Sequence, residues 1–368
     1  MTTERIPFSD LRPGEDAAAV RAAIDRVIAR GWFVLGPEVE LFEGEFAAAC
    51  GATHAVGVGN GTDALALLLR ATGVGPGDEV IVPALTAAYT GLAVVMTGAT
   101  PVFADVEAAT LTLDPAACEA AITPRTVAMI PVHLYGQPAN IEALYPIAER
   151  HAIAVIEDCC QAHLATHRGA PIGTRGAGGA FSFYPTKNLG ALGDGGAVIT
   201  NDASIADRIR RLRNGGQIDR YVHADAGVNS RLDDLQAAVL AARLPLLPRW
   251  TARRRALAAT YRRALSGAIH PLEERDAGHV YHLFVVRSAE RDLLQAHLRA
   301  AGIETLIHYP VPLLQQPAFA TAEPRECPVA TEAARQILSL PLHPRLTDTD
   351  IERISSAVDT FQKGKILA

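Results

Sequence analysis

Three short stretches carry residues whose types and order could do chemistry. Lys187 lies in FSFYPTKNLGALGDGG, between a strand-like run and a glycine-rich loop. A partly desolvated lysine is neutral and nucleophilic, the form that condenses with an aldehyde. From that run alone it could equally be a surface lysine beside a turn. Asp158 closes the apolar run AIAVIED. A carboxylate buried at a strand end needs a partner: a metal, a backbone cap or a protonated ring nitrogen. The third stretch, GNGTDALALLL at 59–69, puts Asn60, Gly61 and Thr62 at the start of an apolar helical pattern. Free N–H groups at such a helix start cradle a phosphate, or simply cap the helix. Lysine, strand-end acid and phosphate cradle together are what a pyridoxal phosphate site requires: a lysine to bind the aldehyde and an acid on the ring nitrogen.

Two competing patterns are weaker. Gly57, Gly59 and Gly61 lack the final two-residue gap of a dinucleotide fingerprint. Cys159, Cys160, His163 and His167 fit no common zinc spacing, so no metal is expected there.

The elements that must position these residues read as α/β. Apolar runs at 54–58, 79–83, 100–106, 127–132, 152–158, 179–183 and 196–200 are expected as strands. Helical patterns at 63–71, 92–97, 114–122 and 141–151 alternate with them. That alternation predicts a mostly parallel central sheet with helices on both faces, and ligands bind at the carboxyl ends of such strands. LPLLPRW (244–250) breaks the pattern with two prolines. A basic helix at 251–265 follows, then strands in 279–287 and 303–310 around a helix at 290–301. These suggest a large domain over 1–245 and a smaller C-terminal α+β domain over 246–368.

Composition removes other classes. With 34 basic and 40 acidic side chains the net charge is −6, no footprint for nucleic acid or an anionic membrane. No apolar stretch approaches the roughly 20 residues a bilayer span needs. Five cysteines at no framework spacing fit a reducing cytoplasm.

Across about Ile6 to Pro344 the chain resembles the DegT/DnrJ-type sugar aminotransferases. The resemblance is carried by GPEVELFEGEFA (36–47), NGTDALALLL (60–69), PGDEVIVPALT (76–86), PVHLYGQP (131–138), EDCCQAH (157–163), FSFYPTKNLGALGDGGAV (181–198), NSRLDDLQAAVL (229–240) and IHYPVPLLQQPAF (307–319). It implies a fold type I, pyridoxal 5'-phosphate-dependent enzyme in which Lys187 is the cofactor-binding catalytic lysine. Asp158 would contact the ring nitrogen and Gln161 the ring oxygen, while Ser182 and the Gly61–Thr62 backbone hold the phosphate. Asn229 would reach the phosphate of a neighbouring subunit, making a homodimer the working unit. Substrate contacts are implied at His163, Tyr184, His308 and Tyr309. L-glutamate would donate the amine to a nucleotide-linked keto sugar, preferably a dTDP-3-keto-6-deoxyhexose; a cyclitol ketone or a UDP- or GDP-linked sugar is the alternative. Two departures stand out. Thr86 is followed by Ala87 and Ala88 where an aromatic usually covers the cofactor ring, leaving Tyr89 or His163 for that task. Leu314 stands where a histidine is common. A related dehydratase branch has histidine at the lysine position, and a non-catalytic member could dispense with Lys187 and Asp158; this chain keeps both.

Overall fold

The computed structural model describes residues 5–265, 267–320 and 325–366. Seven strands form the main sheet: β1 (His54–Val58), β2 (Glu79–Pro83), β3 (Thr100–Ala104), β4 (Thr126–Met129), β5 (Ala154–Asp158), β6 (Gly178–Ser182) and β7 (Gly196–Thr200). Their order is β1-β7-β6-β5-β4-β2-β3, and only β7 runs against its neighbours. The strands are apolar along nearly their whole length because both faces are covered. On β6, Ala180 faces the leucines of α3 (Gly61–Ala71), whereas Phe181 and Phe183 pack on Phe42 and Phe46 of α2 (Pro37–Cys50).

The expected strands exist, but several are shorter. The runs at 100–106 and 127–132 pair only over 100–104 and 126–129, where the chain leaves the sheet at its carboxyl edge, and 152–158 pairs over 154–158 because Ala152, at φ 53°, still caps the preceding helix. α4 (Ala88–Met96) begins four residues before the expected 92.

After α8 (Asp234–Arg243) and a short 3-10 turn, α9 (Leu247–Ala264) starts at the proline-rich stretch: Pro248 sits in its first turn, where a missing N–H costs nothing. The C-terminal sheet departs from expectation. Its strands are β8 (His270–Pro271), β9 (Phe284–Arg287) and β10 (Ile337–Leu340), all antiparallel. Residues 303–310, expected as a strand, form isolated bridges from Ile303 to Ile6 and from Leu306 to Ser339 in place of a strand. Strand pairing in 279–287 begins only at Phe284, because Tyr281 at φ 47° turns the chain out of extended geometry. Tyr261, Phe284, Leu294, Leu338 and Ile351 make a separate core with Ile6. We propose the domain division at 245/246, with the N-terminal segment reaching across it.

Candidate active site

Asp158, the last residue of β5, is 5% exposed. Its Oδ1 accepts the backbone N–H of Cys160 at 3.1 Å and its Oδ2 accepts the Thr90 hydroxyl at 2.9 Å. Thr90, in the first turn of α4, is in turn 3.3 Å from the hydroxyl of Thr86. The carboxylate is thus oriented by two donors and keeps lone pairs for a third. Its neighbour Glu157 points to the opposite face, where the Nε2 of His133, the hydroxyl of Tyr145 and the N–H of Gly173 donate to it at 2.8, 2.9 and 2.8 Å. His133 Nδ1 accepts the N–H of Ala139 at 3.0 Å, so its proton is on Nε2. The ligand atoms of His133, Glu157 and Cys159 lie within 4.8 Å of one another, yet these bonds commit the first two. His133 also donates its backbone N–H to the carbonyl of Asp158 at 3.0 Å, pinning the strand end.

Gln161 is buried one turn further on. The N–H of Tyr135, a residue at φ 61°, reaches its Oε1 at 2.7 Å, and its Nε2 donates to the Tyr309 hydroxyl at 3.0 Å. A backbone donor fixes which end of the amide is oxygen, leaving the second Nε2 proton for an acceptor in the cleft. Tyr135 also donates its hydroxyl to the carbonyl of His308.

α3 begins at Gly61, with the Asn60 side chain accepting the N–H of Asp63 at 2.9 Å. A Cβ on Gly61 would stand 2.7 Å from Ser182 Cβ and 2.8 Å from Cys160 Sγ, so the helix start, β6 and the loop after β5 converge here. Thr62 is the next residue of the helix. Ser230 braces the corner: its hydroxyl accepts Gly59 N–H at 2.9 Å and donates to Asp63 at 2.6 Å.

Lys187 follows β6 in a turn closed by its N–H to the carbonyl of Tyr184 at 2.8 Å. Burial lowers its pKa, opposed by the nearby Cys160 and Asp158. Its charge in turn helps hold His282 below its usual range and His308 near 4, burial being the larger cause in both. The amine therefore sits among the site residues and is more readily neutral than a surface lysine.

These residues fit pyridoxal phosphate: a helix start too tight for a Cβ, an oriented carboxylate, a fixed amide and a desolvated lysine in one cleft. Gly61→Ala is accordingly expected to weaken cofactor affinity roughly ten- to hundredfold through overpacking. Spectroscopic titration of the apoprotein with the cofactor checks this, and unchanged affinity would remove Gly61 from the cradle.

The remaining sequence-derived residues divide. Tyr309 is buried against Gln161, and His308 stacks on Phe8 at 5.6 Å with Nδ1 2.9 Å from the hydroxyl of Ser339. Tyr89 and Tyr184 are 64% and 51% exposed, and Tyr89 is close enough to influence Tyr309. Burial, and after it the charge of Lys187, pushes the His163 pKa down to about 3. The histidine is fully buried, its ring lies against Phe181 and Phe183, and Nε2 is 2.9 Å from the carbonyl of Ser182. Phe181 and Phe183 also pack on α2, so one side of the His163 ring meets that core. Asn229 is exposed, and its side chain makes no hydrogen bond among the described residues. The N-cap of α8 is Asp233, so Asn229 is not its cap. Leu314 packs against the main core. Sequence reasoning missed Thr90 and Tyr135; both lie in quoted stretches or next to one, and hydroxyls just after a strand were the available signal for Thr90.

The model of the DegT/DnrJ/EryC1/StrS aminotransferase family matches residues 15–359. The dTDP-3-amino-3,4,6-trideoxy-alpha-D-glucose transaminase of Streptomyces venezuelae is 51% identical over 363 residues, 97% of this chain and 96% of that protein. The erythromycin biosynthesis sensory transduction protein EryC1 of Saccharopolyspora erythraea is 51% identical over 349 residues, 93% of this chain and 95% of that protein. Among solved structures, S. venezuelae DesV in complex with a ketimine intermediate superposes with a TM-score of 0.94 at 51% identity, covering 98% of this chain and 99% of that one.

Proposed function

The chain belongs to the DegT/DnrJ/EryC1/StrS aminotransferase family, and from that premise we propose that it moves the amine of L-glutamate onto the C3 keto group of a dTDP-linked keto-6-deoxysugar. It is a pyridoxal phosphate-dependent transaminase of fold type I. The observation that carries the reading is a desolvated Lys187 electrostatically coupled to an oriented Asp158 beside the α3 cradle. A relative whose name specifies a 3-amino dTDP sugar, matched over nearly the whole chain, supports the acceptor. The name of EryC1 points to signalling, but this chain keeps the lysine and the acid that a purely regulatory member could lose.

When bound, the cofactor supplies an electron sink for the bonds broken at the amine-bearing carbon. The protein does the rest. The Gly61 and Thr62 N–H groups with Ser182 would hold the phosphate, and Asp158 would face the ring nitrogen and favour its protonated form. Gln161 would donate its second Nε2 proton to the ring oxygen, and Tyr89, at the exposed edge, would take the place of the missing aromatic. Lys187 Nζ would hold the cofactor's aldehyde carbon and, freed by the donor amine, would serve as the base and acid that moves the proton at the donor and acceptor carbons. Tyr184, His308 and Tyr309 border the acceptor's approach. Turnover of L-glutamate with a panel of nucleotide-linked keto sugars and cyclitol ketones tests the assignment; preference for a cyclitol ketone would overturn the acceptor.

The proposed working unit is a homodimer with shared sites. Trp32, Phe33, Val34 and Leu41 form an exposed apolar run around the start of α2, and Ile218, Tyr221 and Val222 are exposed beyond α7 (Ala203–Leu212). Such an apolar surface favours association. The free side chain of Asn229 is consistent with service in a partner's cradle. Mixing inactive Lys187→Ala with inactive Asn229→Asp protein is then expected to restore about a quarter of wild-type activity after random subunit exchange. Each mixed dimer would have one intact pocket and one carrying both lesions. Exchange without recovered activity would show that Asn229 acts in its own chain.

A further inference from the structure

A cavity of about 520 Å³ lies between the N-terminal segment 9–16, the first turns of α9 and residues 343–345, and Lys187 lines it. Five of the arginines around it are matched by carboxylates: Asp10 serves two, and Asp16, Glu15 and Asp348 serve one each. Arg254 is different. It is 7% exposed, and no carboxylate pairs with it among the described residues. Its Nη1 donates to the carbonyls of Leu342, Tyr281 and His282 at 2.7, 3.3 and 3.4 Å, while its buried Nε has no partner. Burial pushes its pKa down to about 10, so it remains a cation at neutral pH. Carbonyl dipoles offset only part of the cost of a buried charge, and an anion in the cavity would complete it.

We infer that Arg254 anchors an anion subsite that takes a carboxylate of the amino donor while the donor's amine takes the place of Lys187 Nζ. This rests on the reading of the site as a glutamate-dependent transaminase. The charge count selects the ligand class. Among the described residues Arg254 is the arginine lining this cavity without a carboxylate partner, which suits one carboxylate of the donor. Arginine's planar fork also matches a carboxylate with two parallel bonds.

The test uses the cofactor-loaded enzyme with L-glutamate, with the dicarboxylate glutarate as an unreactive probe, and with dTDP. Arg254→Gln is expected to raise the glutamate KM and the glutarate Kd, by calorimetry, about thirtyfold or more. The keto-sugar KM and the dTDP affinity should stay within about threefold. Arg254→Lys keeps the charge without the fork and should raise the glutamate KM about tenfold; it decides the matter if the glutamine variant does not fold. Unchanged glutamate and glutarate constants in a folded variant overturn the subsite, because a mere latch on three carbonyls would lower thermal stability and leave them alone. An equal loss of dTDP or keto-sugar affinity overturns it too, assigning the anion to the diphosphate. If the unsubstituted enzyme does not react with L-glutamate, it is the underlying functional reading that falls.

Discussion

Lys187→Ala is expected to lower turnover by on the order of 10⁴-fold, the upper range for one positioned proton-transfer group, with loss of the covalent cofactor bond added. Two features make the effect large. Burial lowers its pKa and so favours the neutral amine, the form that attacks and takes up a proton. No other lysine is near: the only others, Lys363 and Lys365, lie at the far C-terminus. The α3 cradle and Asp158 do not depend on Lys187, so the variant should still bind cofactor reversibly while losing the visible lysine-bound band and borohydride fixation. Retention of both band and turnover would move the catalytic amine elsewhere.

Asp158→Asn should retain the cofactor yet turn over on the order of 10² or more slower, since an amide cannot hold the ring nitrogen protonated. The local hydrogen bonds sharpen this. The two carboxylate oxygens accept from Cys160 N–H and from the Thr90 hydroxyl, and an amide has one oxygen for these two donors. Either its NH₂ faces the Cys160 N–H, or Thr90 must turn its hydroxyl and become an acceptor. Thr90→Val, which removes one of the two bonds, is expected to give a smaller loss of about tenfold with a shift in the pH dependence of the bound cofactor's spectrum. Near wild-type turnover of Asp158→Asn, measured with saturating cofactor, would take the carboxylate out of the mechanism.

Much of the main sheet was legible because a strand covered on both faces must be apolar along its length; VGV, VIV and AVI leave little choice of element. Lys187, Asp158 and Gly61 were legible because their chemistry is uncommon at strand ends and helix starts. What local pattern could not show was partnership across the chain. That Tyr135 orients Gln161, or that Thr90 reaches Asp158 from 68 positions away, depends on how β4, β5 and α4 assemble. The packing of His163 was hidden for a related reason: the turn after β5 sets its ring against Phe181 and Phe183, which come from a later strand. The C-terminal sheet was misread because 303–310 has strand-like composition but pairs at only two isolated bridges, while the true third strand, ILSL, is short.

The central claim is tested most directly by following one nitrogen atom. Purified protein is incubated with pyridoxal phosphate, isotope-labelled L-glutamate and a dTDP-linked 3-keto-6-deoxysugar, and the nucleotide sugar is analysed by mass spectrometry. The account predicts labelled amine at C3 of the sugar, with one equivalent of 2-oxoglutarate formed for each amine transferred and none formed by Lys187→Ala. A cofactor-loaded protein that leaves every nucleotide-linked keto sugar of the panel unaminated would contradict it.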